Sequence, residues 1–180
     1  DLVKEDERIK GIWCVPKYSN PTGVVYSDDV VDRLASMQVK TKDFRIFWDN
    51  AYAVHHLTDT PVKLKNILSA CKQAGNPDRI LMWGSTSKIS FAGSGIAMMA
   101  GSKSNMEHVK KQMAFQTIGP DKLNQLRHVR YFKNISGIEN HMKKHAEILR
   151  PKFEAVQTAL ENELAGKNVA DWSNPAGGYF

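Results

Sequence analysis

The sequence predicts an α/β fold with a mainly parallel sheet and helices on both faces. Three short apolar runs are expected to form buried strands and a fourth is compatible with one: 11–15, 44–48, 80–83 and 96–100. Helical patterns separate these runs, and strands that alternate with helices are typical of parallel sheets covered on both faces. A chain of 180 residues, 42% apolar and 24% charged, suits one globular domain with its own core.

Capping residues indicate where the helices between the strands begin. Ser27, followed by two aspartates, is expected to cap the first of them. Thr60, followed by a proline, predicts the start of a second helix that Gly75 ends. Ser104 and Glu107 have the spacing of a capping box and predict the start of a third.

The last third of the chain is expected to be helical. One helix is predicted from residue 120 to about 133, and a longer one from 136 to 164. In the longer segment, apolar residues recur at spacings of three, four or seven, which is the helical pattern. Pro151 lies inside it and is expected to bend the helix or divide it in two.

Charge, hydropathy and cysteine content restrict the class of protein. The net charge is +6, but the lysines are spread along helical faces, which favours a solvated surface over a nucleic-acid site. No apolar run approaches the roughly 18 residues of a transmembrane helix, so no membrane partner is expected. Cys14 and Cys71 lie far apart in apolar contexts, which favours buried thiols in a cytoplasmic protein over a disulfide.

Polar side chains follow three of the predicted strands. The segments "PKYSNPTG", "DNAY" and "GSTSK" come after the first, second and third strand. In open α/β sheets, ligands bind beyond the carboxyl ends of the strands. An amide, a carboxylate with a phenol, and an amine among hydroxyls are therefore expected to meet in one crevice: Asn20, Asp49 with Tyr52, and Lys88.

These motifs, in this order, resemble those of the fold-type-I pyridoxal-phosphate enzymes, the aminotransferase superfamily. The sequence around these motifs, "PKYSNPTG…FWDNAYAVHHL…GSTSKISFAGSG", is most similar to that of the subgroup Ic aspartate aminotransferases. The similarity continues to "NPAGGYF". The resemblance implies pyridoxal 5′-phosphate as the cofactor. It also implies an amino acid, expected to be aspartate, and a 2-oxo acid, expected to be 2-oxoglutarate, as substrates of a homodimer.

The resemblance also implies catalytic roles for individual residues. Lys88 would form the aldimine with the cofactor and move the proton between the substrate and the cofactor. Asp49 would face the pyridine nitrogen and keep it protonated, so that the ring acts as an electron sink. Tyr52 and Asn20 would hydrogen-bond the cofactor's O3′, and Asn20 would also reach the substrate carboxylate.

The phosphate of the cofactor is expected to bind Ser85 and Ser87, with Thr86 as a weaker candidate. Most relatives place an arginine eight residues after the lysine, where it binds the phosphate through two hydrogen bonds. This sequence has Ile96 at that position, within a stretch of small residues. The absence of this arginine agrees with the subgroup Ic pattern. It leaves unidentified which positively charged side chain would bind the cofactor phosphate.

The resemblance divides the chain into three parts. Residues 1–135 would be a portion of the pyridoxal-phosphate-binding large domain, and 136–166 the long connecting helix. Residues 167–180 would begin a truncated C-terminal small domain. The chain opens with charged residues and without methionine, so we expect a fragment of a longer protein that is inactive alone.

Other functions share parts of this pattern. A β-eliminating lyase or a different transaminase would use the same four residues, Asn20, Asp49, Tyr52 and Lys88. A non-catalytic effector domain of a transcription regulator, or a plain α/β binding domain with coincidental motifs, also remains open.

Two pairs of histidines stand outside the three motifs. His55 and His56 follow the second motif closely, where a supporting role is possible and metal binding is disfavoured. His141 and His145 have the spacing of two zinc ligands on a helix, but lysines fill the gap between them. A solvated helix face is therefore favoured for the second pair.

Overall fold

A four-stranded sheet forms the centre of the computed structural model, which describes residues 1–180. Its strands are β1 Gly11–Cys14, β2 Arg45–Asp49, β3 Ile80–Ser85 and β4 Ala97–Gly101, and they lie side by side in this order. β1 pairs with β2, and β2 with β3, in parallel, whereas β4 joins β3 antiparallel. The predicted α/β fold with a mainly parallel sheet is confirmed, and each strand lies within two residues of its predicted place.

Six helices and a 3₁₀ turn at Pro77–Arg79 accompany the sheet. The helices are α1 Leu2–Glu5, α2 Asp28–Ser36, α3 Ile67–Gln73, α4 Lys103–Gln116, α5 Lys122–Phe132 and α6 Ile135–Leu164. Ser27 caps α2 as predicted, since its side chain accepts a hydrogen bond from the Val30 amide at 3.3 Å. The short α1 has no counterpart among the predictions. None of the helices combines the length and the hydropathy that crossing a membrane requires.

The second helix begins later than predicted. α3 starts at Ile67, and Asn66 caps it by accepting a hydrogen bond from the Ser69 amide at 3.1 Å. The predicted start at Thr60 is therefore wrong. Leu64, which a helix beginning at Thr60 would include, packs against the core from the non-helical segment ahead of α3.

The third helix begins earlier than predicted. Ser102 caps α4 by accepting from the Asn105 amide at 3.1 Å, so Ser104 lies inside the first turn and the predicted capping box is wrong. Glu107 instead lies 3.9 Å from the Lys103 ammonium, one turn away.

The long helix α6 confirms the predicted segment and continues through Pro151 without being divided. It begins after Asn134, whose side chain accepts from the Gly137 amide at 3.0 Å. Short i+3 caps of this kind satisfy the amides that the first turn leaves without an intrahelical partner.

The core lies between one face of the sheet and the pair α2 and α3. Its ten buried residues are Cys14, Val31, Ala35, Phe44, Ile46, Trp48, Ile67, Ala70, Cys71 and Ile80. Both cysteines are buried and unpaired, as the sequence predicted. On the opposite face, the rings of Trp13, Phe47 and Trp83 stack in parallel at 5.5 to 5.7 Å.

Candidate active site

The three motifs leave the sheet at the same edge. Because β1, β2 and β3 are adjacent and parallel, the segments that leave their carboxyl ends emerge side by side. Asp49 is the last residue of β2 and lies opposite Trp83 of β3. Ser85 ends β3 two residues later, and the turn that carries Lys88 follows directly.

The Lys88 amine lies over the ring of Tyr52. Its Nζ is 5.1 Å from the ring centroid, close enough for a cation–π contact. The turn is closed by the amides of Ile89 and Ser90, which both donate to the Thr86 carbonyl at 2.9 and 2.8 Å. The lysine itself is exposed, whereas Tyr52 is only 3% exposed. The structure therefore brings the predicted amine and phenol together, with the amine on the open side.

Aromatic side chains enclose Tyr52. His55, Tyr179 and Phe180 meet its ring edge-on, with centroids 5.6, 6.1 and 5.9 Å away. The terminal segment reaches the site through backbone hydrogen bonds, including that from the Gly178 amide to the His55 carbonyl at 2.8 Å. Sequence reasoning missed this role of residues 176–180, although the quoted "NPAGGYF" contains both aromatic residues.

Ser85 and Ser87 form a compact hydroxyl pair. The Ser85 hydroxyl donates to the Ser87 hydroxyl at 2.8 Å and accepts from the Ser87 amide at 3.0 Å. Gly95 lies against them so closely that a Cβ there would be 2.5 Å from the Ser87 Oγ and 2.8 Å from its backbone nitrogen. Within the pair, the Ser87 hydroxyl keeps its hydrogen free to donate, and a phosphate oxygen can accept such a hydrogen bond.

Thr86 differs from the two serines because its hydroxyl is used inside the protein. It accepts from the Ile96 amide at 2.8 Å and lies 2.9 Å from the Nε2 of His128. The Nδ1 of His128 donates to the Asn124 carbonyl at 2.8 Å, and the Ser90 hydroxyl lies 3.0 Å from the same Nε2. The Thr86 hydroxyl is thus surrounded by protein partners, and the backbone of Ile96, at the position of the usual arginine, is hydrogen-bonded to Thr86.

Asn20 is exposed in the loop after β1 and makes no side-chain hydrogen bond. The same loop contacts the terminal segment, since the Ser173 hydroxyl donates to the Thr22 carbonyl at 3.2 Å. Gly23 also packs on Pro175, where a Cβ would be 2.7 Å from the proline ring. The loop that carries Asn20 thus lies against the terminal segment that reaches Tyr52. The Asn20 side chain itself forms no hydrogen bond with that segment or with Tyr52.

Buried basic groups lie next to this loop. The Tyr18 hydroxyl bonds the Nδ1 of His56 at 2.8 Å. Burial, with repulsion from the Lys17 ammonium and from the protonated form of His55, lowers the pKa of His56 to about 4. Burial likewise lowers the pKa of His55. Both rings are therefore neutral near pH 7.

The histidine pair on α6 is not a solvated face, which corrects that interpretation. His141 is half-buried, donates from Nε2 to the Ile89 carbonyl at 2.8 Å, and meets the ring of Phe132 at 5.3 Å. Burial lowers the pKa of His145. No group of three or more His, Cys, Asp or Glu side chains in the structure is arranged to hold a metal ion.

Comparisons with known proteins identify the family of this chain. The family model described as "Aspartate amino-transferase" matches residues 1–180. A protein of Mycolicibacterium smegmatis that carries an aminotransferase name is 50% identical over 179 residues, which are 99% of this chain and 42% of the relative. The chain thus spans about two fifths of the length of that relative.

Solved structures give the same result. The crystal structure of an aspartate transaminase from Corynebacterium glutamicum has a TM-score of 0.93 and 45% identity, covering 98% of this chain and 42% of the other. An α-aminoadipate aminotransferase from Thermus thermophilus, complexed with N-(5′-phosphopyridoxyl)-L-leucine, shares the fold at a TM-score of 0.71 and 23% identity, over 92% of this chain and 41% of the other. With the family model matched over its full length, the chain belongs to the aspartate aminotransferase family.

Proposed function

We propose that the protein carrying this chain is a pyridoxal-phosphate-dependent aminotransferase that exchanges the amino group between aspartate and 2-oxoglutarate. The observation that carries the proposal is the Lys88 amine over the Tyr52 ring, at the end of β3 and beside Ser85 and Ser87. The 45% identity to an aspartate transaminase supports aspartate as the amino donor. The pyridoxyl compound bound by the Thermus enzyme supports the choice of cofactor.

The residues at this edge fit the cofactor's four polar groups, which are the aldehyde, the ring nitrogen, O3′ and the phosphate. When bound, pyridoxal phosphate supplies an aldehyde that condenses with amines and a ring that withdraws electrons from the substrate carbon. Lys88 would hold the aldehyde carbon at Nζ and would later carry a proton on the same atom. Asp49 would bind the protonated ring nitrogen, and a carboxylate there holds that proton in place.

Tyr52 and the serines would orient the cofactor. The phenol of Tyr52 is held by three edge-on aromatic contacts, so its hydroxyl has a fixed direction from which to donate to O3′. Ser85 and Ser87 would bind the phosphate through their hydroxyls: the Ser87 hydrogen is free to donate, and the Ser85 hydrogen would turn from the Ser87 oxygen to the phosphate. Asn20, exposed and without a side-chain partner, would bind O3′ and the substrate carboxylate.

The wider organisation is also part of the proposal. Residues 1–135 would belong to the large domain, 136–166 to the connecting helix, and 167–180 to the start of the small domain of a cytoplasmic homodimer. Large apolar side chains remain exposed on and near α4 and α5, among them Phe115, Ile118 and Val129. Exposed apolar surface of this kind supports contact with another subunit or with further parts of the polypeptide.

A covalent trap tests the role of Lys88. The whole protein is loaded with pyridoxal phosphate, reduced with borohydride and digested, and mass spectrometry locates the pyridoxyl group. We expect the group on Lys88 and no trapped cofactor in Lys88→Ala, whereas Lys103→Ala should label like the wild type. A pyridoxyl group on another lysine would contradict the assignment.

Amino-donor profiling tests the substrates. The loaded protein is mixed with aspartate or with an aromatic amino acid, and release of the 2-oxo acid is measured, with 2-oxoglutarate as the acceptor. We expect aspartate to be the better donor by kcat/KM. Turnover of aromatic donors without aspartate would overturn the substrate assignment and leave the aminotransferase assignment intact.

A further inference from the structure

Two consecutive backbone carbonyls in the Lys88 turn accept hydrogen bonds from three side chains. The Lys88 carbonyl lies 2.9 Å from the Nε2 of His55 and 3.0 Å from the hydroxyl of Tyr179. The Ile89 carbonyl lies 2.8 Å from the Nε2 of His141. A carbonyl oxygen only accepts, so both histidines carry their proton on Nε2 and all three side chains donate.

Each donor arrives from a different part of the chain. His55 follows β2, His141 lies on α6, and Tyr179 belongs to the terminal segment. His141 and Tyr179 are separated from their acceptors by 52 and 91 residues. The turn is therefore fixed by tertiary contacts, in addition to the local hydrogen bonds to the Thr86 carbonyl.

Aromatic packing holds the donor rings in place. His55 is buried and meets Tyr179 edge-on at 5.2 Å, so these two donors support each other. His141 packs against Phe132, Tyr131 and His145, with ring centroids 5.3, 5.7 and 4.7 Å away. A donor whose ring cannot rotate loses little conformational entropy when it forms its hydrogen bond.

The backbone of Lys88 is thus anchored while its side chain is exposed. An amine that has to bond a reacting carbon and later carry a proton needs a fixed backbone position and a side chain that can move. Errors of about 1 Å in such positions can cost on the order of 10²-fold in rate.

We propose that His55, His141 and Tyr179 are positioning residues that fix the peptide from which the Lys88 amine reaches the cofactor. The proposal rests on the function proposed above for Lys88. It adds a physical link between α6, the terminal segment and the reacting amine, because each supplies a donor to the same turn.

Paired substitutions separate the hydrogen bond from the packing. In the whole protein, His141→Leu removes the donor, whereas His141→Gln keeps an N–H near the position of Nε2. Tyr179→Phe removes one hydroxyl and leaves the ring. His108→Leu, an exposed histidine on α4 without a hydrogen bond to the turn, is the matched control.

Hydrogen exchange of the cofactor-free protein is the first readout. We expect the amides of Ile89 and Ser90 to exchange at least fivefold faster in His141→Leu and Tyr179→Phe, and at near wild-type rates in His141→Gln and His108→Leu. The second readout is kinetic: kcat should fall about tenfold in the first two variants, with KM for the amino donor little changed, and recover in His141→Gln.

The outcomes distinguish this proposal from the proposed function. Wild-type exchange and wild-type kcat in both His141→Leu and Tyr179→Phe would overturn the positioning role. If the wild type traps no cofactor on Lys88, the proposed function fails, while the exchange experiment still tests whether the three side chains hold the turn. If His141→Leu does not fold, hydrogen exchange and kcat of Tyr179→Phe alone test the positioning role.

Discussion

Gly95 packs against Ser87 where the chain returns from the lysine turn toward β4. A Cβ at this position would be 2.5 to 2.9 Å from three atoms of Ser87, two of them backbone atoms. Backbone cannot move aside as a flexible side chain can, so the contact requires glycine. Glycine was noted in the sequence as part of a stretch of small residues, and the structure gives the reason for it.

We expect Gly95→Ala to destabilise the whole protein by about 1–3 kcal/mol, as overpacking typically does. The substitution should also weaken binding of pyridoxal phosphate, because it displaces the Ser87 hydroxyl. Urea unfolding and cofactor titration measure the two effects. The control is Gly119→Ala, since a Cβ at Gly119 has no neighbour within 4 Å. Equal stability of the two variants would contradict the steric argument.

His56 makes stability depend on pH. Its pKa is about 4 in the folded protein, against 6.5 for an ordinary histidine. Between these values the unfolded chain binds more protons than the folded one, so stability falls as the pH is lowered from about 6.5 to 4. Solvent screens part of the shift, and we expect a loss of about 1–2 kcal/mol from this residue.

The matched variant is His56→Asn, which keeps an acceptor for the Tyr18 hydroxyl and does not titrate. The free energy of unfolding, measured at pH 7 and pH 4, should fall more in the wild type than in the variant. Parallel pH dependence in the two proteins would show that the ring is not the titrating group.

At the scale of elements, the start of α4 shows how closely two caps can compete in one sequence. Ser102 and Ser104 both precede helical sequence, and Glu107 completes a capping box with Ser104. The fold uses Ser102, because the Asn105 side chain also donates to the Asp78 carbonyl at 2.8 Å and fixes the first turn against the loop before β3.

Ser102→Ala is expected to lower stability by about 1 kcal/mol, the usual cost of losing an N-cap. Ser104→Ala, inside the first turn and exposed, should change stability by less than about 0.5 kcal/mol. Urea unfolding of both variants decides between the two caps. A larger loss in Ser104→Ala would favour the capping box that the sequence predicts.

The whole molecule exposes more surface than a compact protein of its mass. Its accessible area is 12271 Å², about 1.4 times the roughly 8,800 Å² expected for a folded monomer of 20.2 kDa. Part of the exposed surface is apolar, including Trp13, which is 61% exposed on the edge strand β1 and belongs to the group of stacked rings with Phe47 and Trp83. Surface of this kind is normally covered by other protein.

We therefore expect the 180-residue chain, expressed alone, to self-associate, to bind a hydrophobic dye and to take up pyridoxal phosphate weakly. Trp13→Lys should reduce self-association, because it removes an exposed ring and places a charge on the edge strand β1. His108→Lys adds the same charge on α4 and is the control. Sedimentation across a range of concentrations measures the effect, and a monomer without dye binding would contradict the expectation.

Much of the fold could be predicted because its signals are local. The four strands, the Ser27 cap and the extent of α6 depend on hydropathy and capping residues within a few positions of each other. The motifs around Asn20, Asp49 and Lys88 were predicted to meet for a general reason. Parallel neighbouring strands place their carboxyl ends at one edge whatever the details of packing.

What the sequence determined by itself was the order of strands and helices, the polar segments after three strands and the family they indicate. Only the tertiary structure decided which cap begins α3 and α4, that Thr86 and His128 are hydrogen-bonded, and that His141 and Tyr179 reach the turn of Lys88. The physical reason is distance along the chain. A hydrogen bond between residues 52 or 91 positions apart depends on how several elements pack together, and no pattern within one segment contains that geometry.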